Sequence, residues 1–441
     1  MSLLKSVWQH SEKHPILKTK TRQETPSHAL RIGLVIPWYG KLLGGGAESA
    51  SRSLVQALKE HRPDIKVDVL TTALKEFSTD WNQNFYEEAI CDDDGIDVYR
   101  FKAEPINRSL FHKINLRKLM PQTVDDLWRA GKPHSPLSIF EEWFYMRHMV
   151  HSQSLYRYLR ACYDDYDFFV FIPYMFGTTY KGSLQVPGKA IIIPCLHNER
   201  YAYMRLYRNM MNKARAVFFH VEAERRLANR IYQIPQARQF PFGVIVDINP
   251  PKGDLGRFRS KFNIQDPFVL YAGRKIEGKG LPTLVQYFLE YKKNAAHSNK
   301  LKLVIIGKGD LQYPREQYPD IIDLGFVSDQ DKHDAYTSAL CLAMPSLMES
   351  FSIVLMESWL QGVPVLVNEL CEVTRDHAMA SNGGYSYRDA ATFSAALQQF
   401  LTNPGKTCEM GMLGRQYVID NYSAKTIVNK FAEFVFKLKN S

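Results

Sequence analysis

Two glutamates in the second half of the chain have the spacing to hold both ends of an extended ligand. Glu349 and Glu357 bound the run Glu-Ser-Phe-Ser-Ile-Val-Leu-Met-Glu, directly after the apolar segment 340–345. Ser350 is a suitable N-cap, which predicts Glu349 at a strand-to-helix turn and Glu357 about 12 Å further along the helix axis. The free amides of residues 351–353 would lie between them, where a diphosphate binds well. This spacing suits a nucleotide-sugar, although two ordinary acidic residues on a helix would show it too.

Two cations earlier in the chain add to this pattern. Arg274 and Lys279 follow a short apolar strand within Gly-Arg-Lys-Ile-Glu-Gly-Lys-Gly. An arginine fork and a lysine point charge can stabilise the negative charge that grows on a diphosphate leaving group, without a metal ion. The alternative is a basic loop without a ligand, but the glycines favour close approach of the backbone to one.

The first half carries weaker signals. The run Gly44-Gly45-Gly46-Ala47-Glu48 opens a predicted helix, and its amides could reach a phosphate or the substrate. This run is not GxGxxG, and no acidic residue clearly marks a dinucleotide ribose site, which disfavours a dehydrogenase. His197 falls just past a predicted strand. A lone histidine is often structural, but this position favours polar contact or proton handling near a reacting sugar.

The chain shows the same strand, glycine turn, helix and strand plan twice. The first copy has strands 32–37 and 67–70 around helix 47–59, and the second has strands 268–272 and 303–306 around a helix from about Leu281. Further strands are predicted at 168–172, 190–194 and 216–220. This pattern predicts an α/β protein with two Rossmann-like, doubly wound parallel-sheet domains whose glycine loops face a common cleft.

The predicted boundaries follow from these elements and from the paired prolines in the hinge 244–253. Residues 72–163 are either an acceptor platform or a plain helical insertion, because they combine aromatic clusters with helical spacing. The predicted order is a polar leader (1–29), an N-terminal acceptor domain (30–243) with an aromatic and helical insertion (about 72–163), a C-terminal donor domain (254–422) and a closing helix (423–441).

Composition excludes several classes of protein. The chain has 441 residues, 45% apolar and 23% charged, without an apolar run long enough for a membrane span or an export signal, so we expect a cytoplasmic protein. The six scattered cysteines fit a reducing compartment and argue against a zinc site. Much of the net charge of +10 falls between Arg200 and Arg230. This basic stretch suits anionic lipid or a phosphorylated ligand, or is a solvated helix face, whereas the absence of nucleic-acid motifs disfavours nucleic acid.

The order of motifs resembles glycosyltransferase family 4, the retaining "group 1" glycosyltransferases of the GT-B fold. The motifs are GGGAE, a strand ending in His-Asn-Glu, PFGVIVD, GRKIEGKG, VIIGKGD, LGFVSD and MESFSIVLMES. The resemblance covers residues 241 to about 401 almost continuously, and in the first half it rests chiefly on Gly44 to Glu48 and on His197. The resemblance implies catalytic roles for Glu349, His197, Arg274 and Lys279. It implies donor contacts at Gly45, Gly46, Gly273, Arg274, Lys279, Gly307, Phe351, Ser352, Ile353 and Glu357.

The resemblance also implies a reaction. A UDP- or GDP-linked sugar would pass to a carbohydrate or lipid-linked acceptor with retention, without a metal or cofactor, in polysaccharide or glycoconjugate biosynthesis. A lipid-linked acceptor would place the reaction at the inner face of the membrane. The family often has Gly-Phe-Gly where this chain has Ser350-Phe351-Ser352, which leaves the donor sugar open. An inactive nucleotide-sugar binding scaffold and a nucleotide-sugar epimerase remain as alternatives.

Overall fold

The computed structural model describes residues 30–41, 46–119, 135–294, 300–309 and 318–441. The predicted leader 1–29 and the loop residue Gly45 lie outside the described residues. The chain divides into two compact units. The first comprises Met1–Ile245 with Ile427–Ser441, and the second comprises Val246–Thr426.

The first unit contains an eight-stranded sheet within its described residues. Its strands are β1 (Leu30–Ile36), β2 (Ile65–Thr72), β3 (Ile90–Asp92), β4 (Asp97–Phe101), β5 (Phe168–Phe171), β6 (Ala190–Ile192), β7 (Ala216–Phe219) and β8 (Gln239–Pro241). The spatial order is β3-β4-β2-β1-β5-β6-β7-β8, with β3 antiparallel to β4 and the other neighbours parallel. Continuous apolar runs such as those of β1 and β5 are typical of strands that are buried on both faces.

Several helices pack against this sheet through apolar faces. The helix after β1 buries Leu54, Val55 and Leu58, which lie on one face at helical spacing. The helices of the unit are α1 (Gly46–His61), α2 (Arg108–Ile114), α3 (Ile139–Arg147), α4 (Gln153–Ala161), α5 (Gly177–Ser183), α6 (Arg205–Lys213) and α7 (Glu222–Ile231), and the closing helix of the chain (Ala424–Lys439) ends in it.

The segment 72–163 is not the plain helical insertion that its composition suggested. Strands β3 and β4 within it extend the sheet beyond β2, so the prediction of a helical insertion was wrong for residues 90–101. These strands are short and carry acidic residues, which weakens their pattern in the sequence. Of the aromatic side chains there, Trp81 and Tyr145 are buried in the core, whereas Phe85, Phe140 and Trp143 are exposed.

The second unit contains a parallel sheet in the order β11-β10-β9-β12-β13-β14. Its strands are β9 (Phe268–Ala272), β10 (Lys302–Ile306), β11 (Ile321–Gly325), β12 (Cys341–Met344), β13 (Val365–Asn368) and β14 (Gly384–Tyr387). Its helices are α8 (Leu255–Phe262), α9 (Leu281–Asn294), α10 (Asp329–Ser338), α11 (Ile353–Leu360), α12 (Glu372–Ser381), α13 (Ala390–Thr402) and α14 (Pro404–Tyr422).

The order of strands in the second unit indicates which edge of the sheet would bind a ligand. The chain runs outward from β9 through β10 to β11, and then returns to the other side of β9 with β12 and continues outward. In open α/β sheets ligands bind beyond the carboxyl ends of the strands at such a reversal. The loops after β9 and β12 therefore border the expected site, and these are the loops that carry Arg274, Lys279 and Glu349.

Among the described residues, no helix is long and apolar enough to cross a membrane. The six cysteines are free thiols, of which Cys91 and Cys408 are exposed.

Candidate functional site

The loops after β9 and β12 contact each other through a charged pair. Lys279 Nζ donates a hydrogen bond to Glu349 Oε1 at 2.6 Å, and both side chains are partly buried. Gly280, with φ of +71°, brings the backbone so close that a Cβ there would lie 2.5 Å from the carbonyl oxygen of Pro345. The structure thus brings together two of the predicted catalytic residues at the point where the strand order reverses.

Glycines allow the neighbouring loops to cross. Gly307 has φ of +135°, and a Cβ at this position would lie 1.9 Å from the carbonyl oxygen of Gly273. The backbone N–H of Gly273 donates to the carbonyl of Ile306, and that of Gly307 donates to the carbonyl of Gly325. Gly307 is therefore needed for the close approach of two backbones.

The three cations of the GRKIEGKG loop have different environments. The guanidinium of Arg274 is exposed and has no hydrogen bond or ion pair with any residue that the structure describes. Lys275, only 2% exposed, donates to both carboxylate oxygens of Asp323, at 2.6 and 2.8 Å. The sequence analysis did not identify Lys275 as important. The structure shows that Lys275 anchors the GRKIEGKG loop to Asp323. Arg274 and Lys279 are left at the surface of the site.

Glu357 lies on α11 and has two partners on α10. Lys332 Nζ donates to Glu357 Oε1 at 2.7 Å, and the hydroxyl of Tyr336 donates to Oε2 at 2.9 Å. Burial opposes the positive charge of Lys332, but Glu357 and Asp329 outweigh it and raise the pKa of this ammonium group. Sequence reasoning missed Lys332 and Tyr336, because their contact with Glu357 depends on how two helices pack.

The turn before α11 differs from its prediction. The N-cap is Ser352, not Ser350, and its side chain makes no capping hydrogen bond. Ser352 has φ of +72° and ψ of +75°, and this left-handed turn delays the start of the helix by two residues. The ring of Phe351 is buried edge-on against His377 and Tyr422, so this side chain is packed in the core and not presented to a donor.

Replacing Ser352 by glycine is expected to stabilise the protein by about 1 kcal/mol. A left-handed conformation costs a residue with a Cβ roughly 1–2 kcal/mol, and part of this gain is offset by the greater freedom of glycine in the unfolded chain. The buried hydroxyl of Ser352 also has no hydrogen-bond partner among the described residues. Urea denaturation measures the effect. Ser358→Gly is the matched control inside α11 and should destabilise, and a destabilised Ser352→Gly would contradict the account.

The predicted residues of the first unit lie after β1 and β6. Gly46 begins α1, and a Cβ there would meet nothing within 4 Å. Glu48 on α1 accepts a hydrogen bond from the indole N–H of Trp38. His197 follows β6 with a partly exposed side chain, and its Nδ1 lies 3.8 Å from a carboxylate oxygen of Glu199.

Three buried groups give the protein a pH-dependent stability. Burial raises the pKa of Glu224 to about 8, and burial lowers the pKa of His220 and His377 to about 4. Between pH 4.5 and 8 the folded state keeps a proton on Glu224 that the unfolded state releases, so stability falls as pH rises. Between pH 6.5 and 4 the unfolded state takes up protons on both histidines, so stability falls as pH drops.

These groups predict maximal stability near pH 6.5. From there to pH 8 the free energy of unfolding should fall by up to about 1.4 kcal/mol per pH unit, which corresponds to one proton. Urea denaturation at pH 5, 6.5 and 8 measures both limbs. A free energy of unfolding that stays constant or rises from pH 6.5 to 8 would contradict the assignment to Glu224.

Comparison with known proteins identifies the class of fold. The chain is similar to sucrose-phosphate synthase from Thermosynechococcus elongatus, with a TM-score of 0.64 and 15% identity over 93% of this chain and 99% of that one. It is also similar to HepE of Anabaena in complex with UDP-glucose, with a TM-score of 0.62 and 14% identity over 92% of this chain and 100% of that one. With its two parallel-sheet units, the protein has the GT-B fold, which confirms the predicted fold class.

Sequence comparison points to a family. Residues 254–417 match the family model "Glycosyl transferases group 1", which covers most of the second unit and includes the loops after β9 and β12. An uncharacterised glycosyltransferase of Methanocaldococcus jannaschii is 25% identical over 196 residues, which are 42% of this chain and 47% of that protein. The chain thus spans about half the length of the curated relative that it matches.

Proposed function

We propose that the protein is a glycosyltransferase that transfers a sugar from a nucleotide-sugar, held on the second unit, to a carbohydrate or lipid-linked acceptor. The observation that carries this proposal is the pair of Lys279 and Glu349, which joins the loops after β9 and β12 at the reversal of strand order. A cation for a phosphate and a carboxylate for sugar hydroxyls stand side by side there. The match of residues 254–417 to the group 1 family supports the same activity.

Each group has a distinct task in this proposal. Arg274 and Lys279 bind the diphosphate and stabilise the negative charge that develops on it as the glycosidic bond breaks. Glu349 accepts hydrogen bonds from hydroxyls of the donor sugar, and its hydrogen bond with Lys279 orients its carboxylate. Glu357, held by Lys332 and Tyr336, accepts hydrogen bonds from the ribose hydroxyls.

The reaction proceeds with retention in this proposal. The departing diphosphate takes the proton of the acceptor hydroxyl on the same face of the sugar, so no pair of carboxylates has to flank the bond as in hydrolases. His197 contacts the reacting sugar. The cations supply the charge that a metal ion would otherwise supply, which makes the expected turnover independent of chelators.

The proposed donor follows from a protein of the same fold, and the proposed membrane contact follows from a basic stretch of the chain. HepE, of the same fold, was solved with UDP-glucose, which makes UDP-sugars the first donors to test and GDP-sugars the second. For a lipid-linked acceptor, contact with an anionic membrane would draw on the stretch from Arg200 to Arg230. Part of its charge already has partners in the protein, since Arg205 pairs with Glu142 and Arg225 with Glu222.

A thermal-shift panel of UDP, GDP, ADP and their common sugars, with and without EDTA, tests the proposed donor site. Specific binding raises the melting temperature by mass action. We expect a shift with one nucleotide and its sugars that persists in EDTA. No shift in melting temperature with any of these compounds would refute the proposed donor site. A shift that EDTA abolishes would refute metal-independent binding.

A further inference from the structure

A buried glutamate holds the loop that carries His197. Glu224 lies in the first turn of α7 and is 1% exposed. Its Oε1 accepts the backbone N–H of Leu196 at 2.6 Å, and its Oε2 accepts the backbone N–H of His220 at 2.7 Å. One carboxyl group therefore joins the loop after β6 to the loop after β7, and its first partner directly precedes His197.

The loop after β6 depends on this contact because its own conformation is unfavourable. Cys195 has φ of +54°, a region that residues other than glycine seldom adopt. Such a conformation persists when its surroundings hold it in place. The side chain of Leu196 is buried as well, so its backbone N–H would be left without a partner in the interior if Glu224 were absent.

We propose that Glu224 is a positioning residue for His197, whose carboxyl group fixes the loop after β6 so that the imidazole is held ready for its part in sugar transfer. This inference rests on the proposed function. Glu224 itself contacts neither donor nor acceptor in this account, and it acts through the backbone of Leu196.

The chemistry of the contact requires a carboxyl group. Both oxygens accept a backbone N–H, and a carboxyl group retains acceptor lone pairs on both oxygens whether it is charged or neutral. Glutamine has only one carbonyl oxygen, which can accept one of the two backbone N–H groups. Its amide NH₂ group would face the other N–H, and two donors cannot form a hydrogen bond. Glu224→Gln is therefore nearly isosteric, yet it must give up one of the two loop contacts.

A double-mutant cycle with His197→Ala and Glu224→Gln tests the link to the reaction, with kcat for sugar transfer as the readout. We expect each single change to lower kcat, and Glu224→Gln to add less than about a threefold loss in the His197→Ala background, because the residue that it positions is gone. Single effects that simply multiply would overturn the proposal. A wild-type kcat for His197→Ala would overturn it too.

Glu142→Gln is the matched control. Glu142 is also 1% exposed, lies in the first unit, and accepts the backbone N–H groups of Arg205 and Leu206, both at 3.1 Å. Among the described residues it makes no hydrogen bond with residues 193–199, and its backbone partners Arg205 and Leu206 begin α6. We expect the effects of Glu142→Gln and His197→Ala on kcat to multiply in the double variant. If Glu142→Gln were coupled to His197→Ala as strongly as Glu224→Gln is, the cycle would report general damage to the first unit.

Hydrogen exchange separates this inference from the proposed function. The backbone of residues 193–199 should exchange faster in Glu224→Gln than in wild type, and it should be unchanged in Glu142→Gln. Unaltered exchange in Glu224→Gln would overturn the positioning role. If the wild type transfers no sugar, the proposed function fails while exchange still decides whether Glu224 holds the loop. If Glu224→Gln does not fold, Glu224→Asp, whose carboxyl is one methylene short of its partners, is measured in the same way.

Discussion

Lys279→Ala is expected to lower kcat/KM for sugar transfer by about 100- to 1,000-fold. Removing one group that stabilises charge in a transition state typically costs about 2.7–4 kcal/mol. In the proposed mechanism Lys279 acts on the diphosphate, and its loss would also remove the hydrogen bond to Glu349. Steady-state kinetics with a saturating acceptor measures the effect, and the loss should fall mainly on kcat because the charge develops during the reaction.

Lys302→Ala is the matched control for this change. Its Nζ lies 2.6 Å from Asp320, the same distance as in the pair of Lys279 and Glu349, and the two lysine side chains are 22% and 26% exposed. Lys302 begins β10, so it stands at the amino end of the sheet, away from the carboxyl ends that border the site. We expect nearly wild-type kinetics for it, and equal losses for both variants would show that Lys279 has no special role.

Lys275→Met should destabilise the protein by about 3–5 kcal/mol. Removing one partner of a buried ion pair leaves the other charge uncompensated, and such substitutions strongly lower the free energy of unfolding. Lys275 contacts both oxygens of Asp323, which also accepts the backbone N–H of Gly325. The loss of the lysine therefore removes the contact between the loop after β9 and strand β11. Urea denaturation gives the free energy of unfolding.

Lys261→Met provides the comparison for Lys275. Lys261 also contacts both oxygens of an aspartate, Asp331, at 2.7 and 2.8 Å, but its side chain is 55% exposed. Exposed ion pairs contribute about 0–1 kcal/mol, so this variant should be nearly as stable as wild type. A loss for Lys275→Met as small as that for Lys261→Met would mean that the buried pair does not anchor the loop.

The sequence was most informative where strong local patterns coincide with the fold. The strand predicted at 268–272 is β9, and the helix predicted from about Leu281 is α9. Apolar runs and glycine turns are local patterns, so they can be recognised in the sequence without knowing which distant residues they contact. Lys279 and Glu349 each follow an apolar strand that the sequence reveals, and the strand order of the sheet brings their loops to one edge.

The features that the sequence did not reveal depend on contacts between residues that are far apart in the chain. Arg274 and Lys275 are adjacent and chemically alike, and Asp323, 48 residues away, determines that Lys275 is the buried one. The N-cap prediction was wrong although Ser350 satisfies the local rule, because the turn continues to Ser352 while Phe351 between them packs against Tyr422, 71 residues away. The roles of the site residues stay predictions until variants are measured.

Calorimetric titration with the nucleoside diphosphate that the thermal-shift panel selects tests the donor site most directly. The variants are wild type, Glu357→Ala and Lys302→Ala, all in EDTA. We predict equal affinities for wild type and Lys302→Ala and an affinity at least about tenfold weaker for Glu357→Ala, because a hydrogen bond to a charged group contributes about 1.5–3 kcal/mol. Equal affinities for all three proteins, or no binding to wild type, would contradict a nucleotide-sugar site on the second unit.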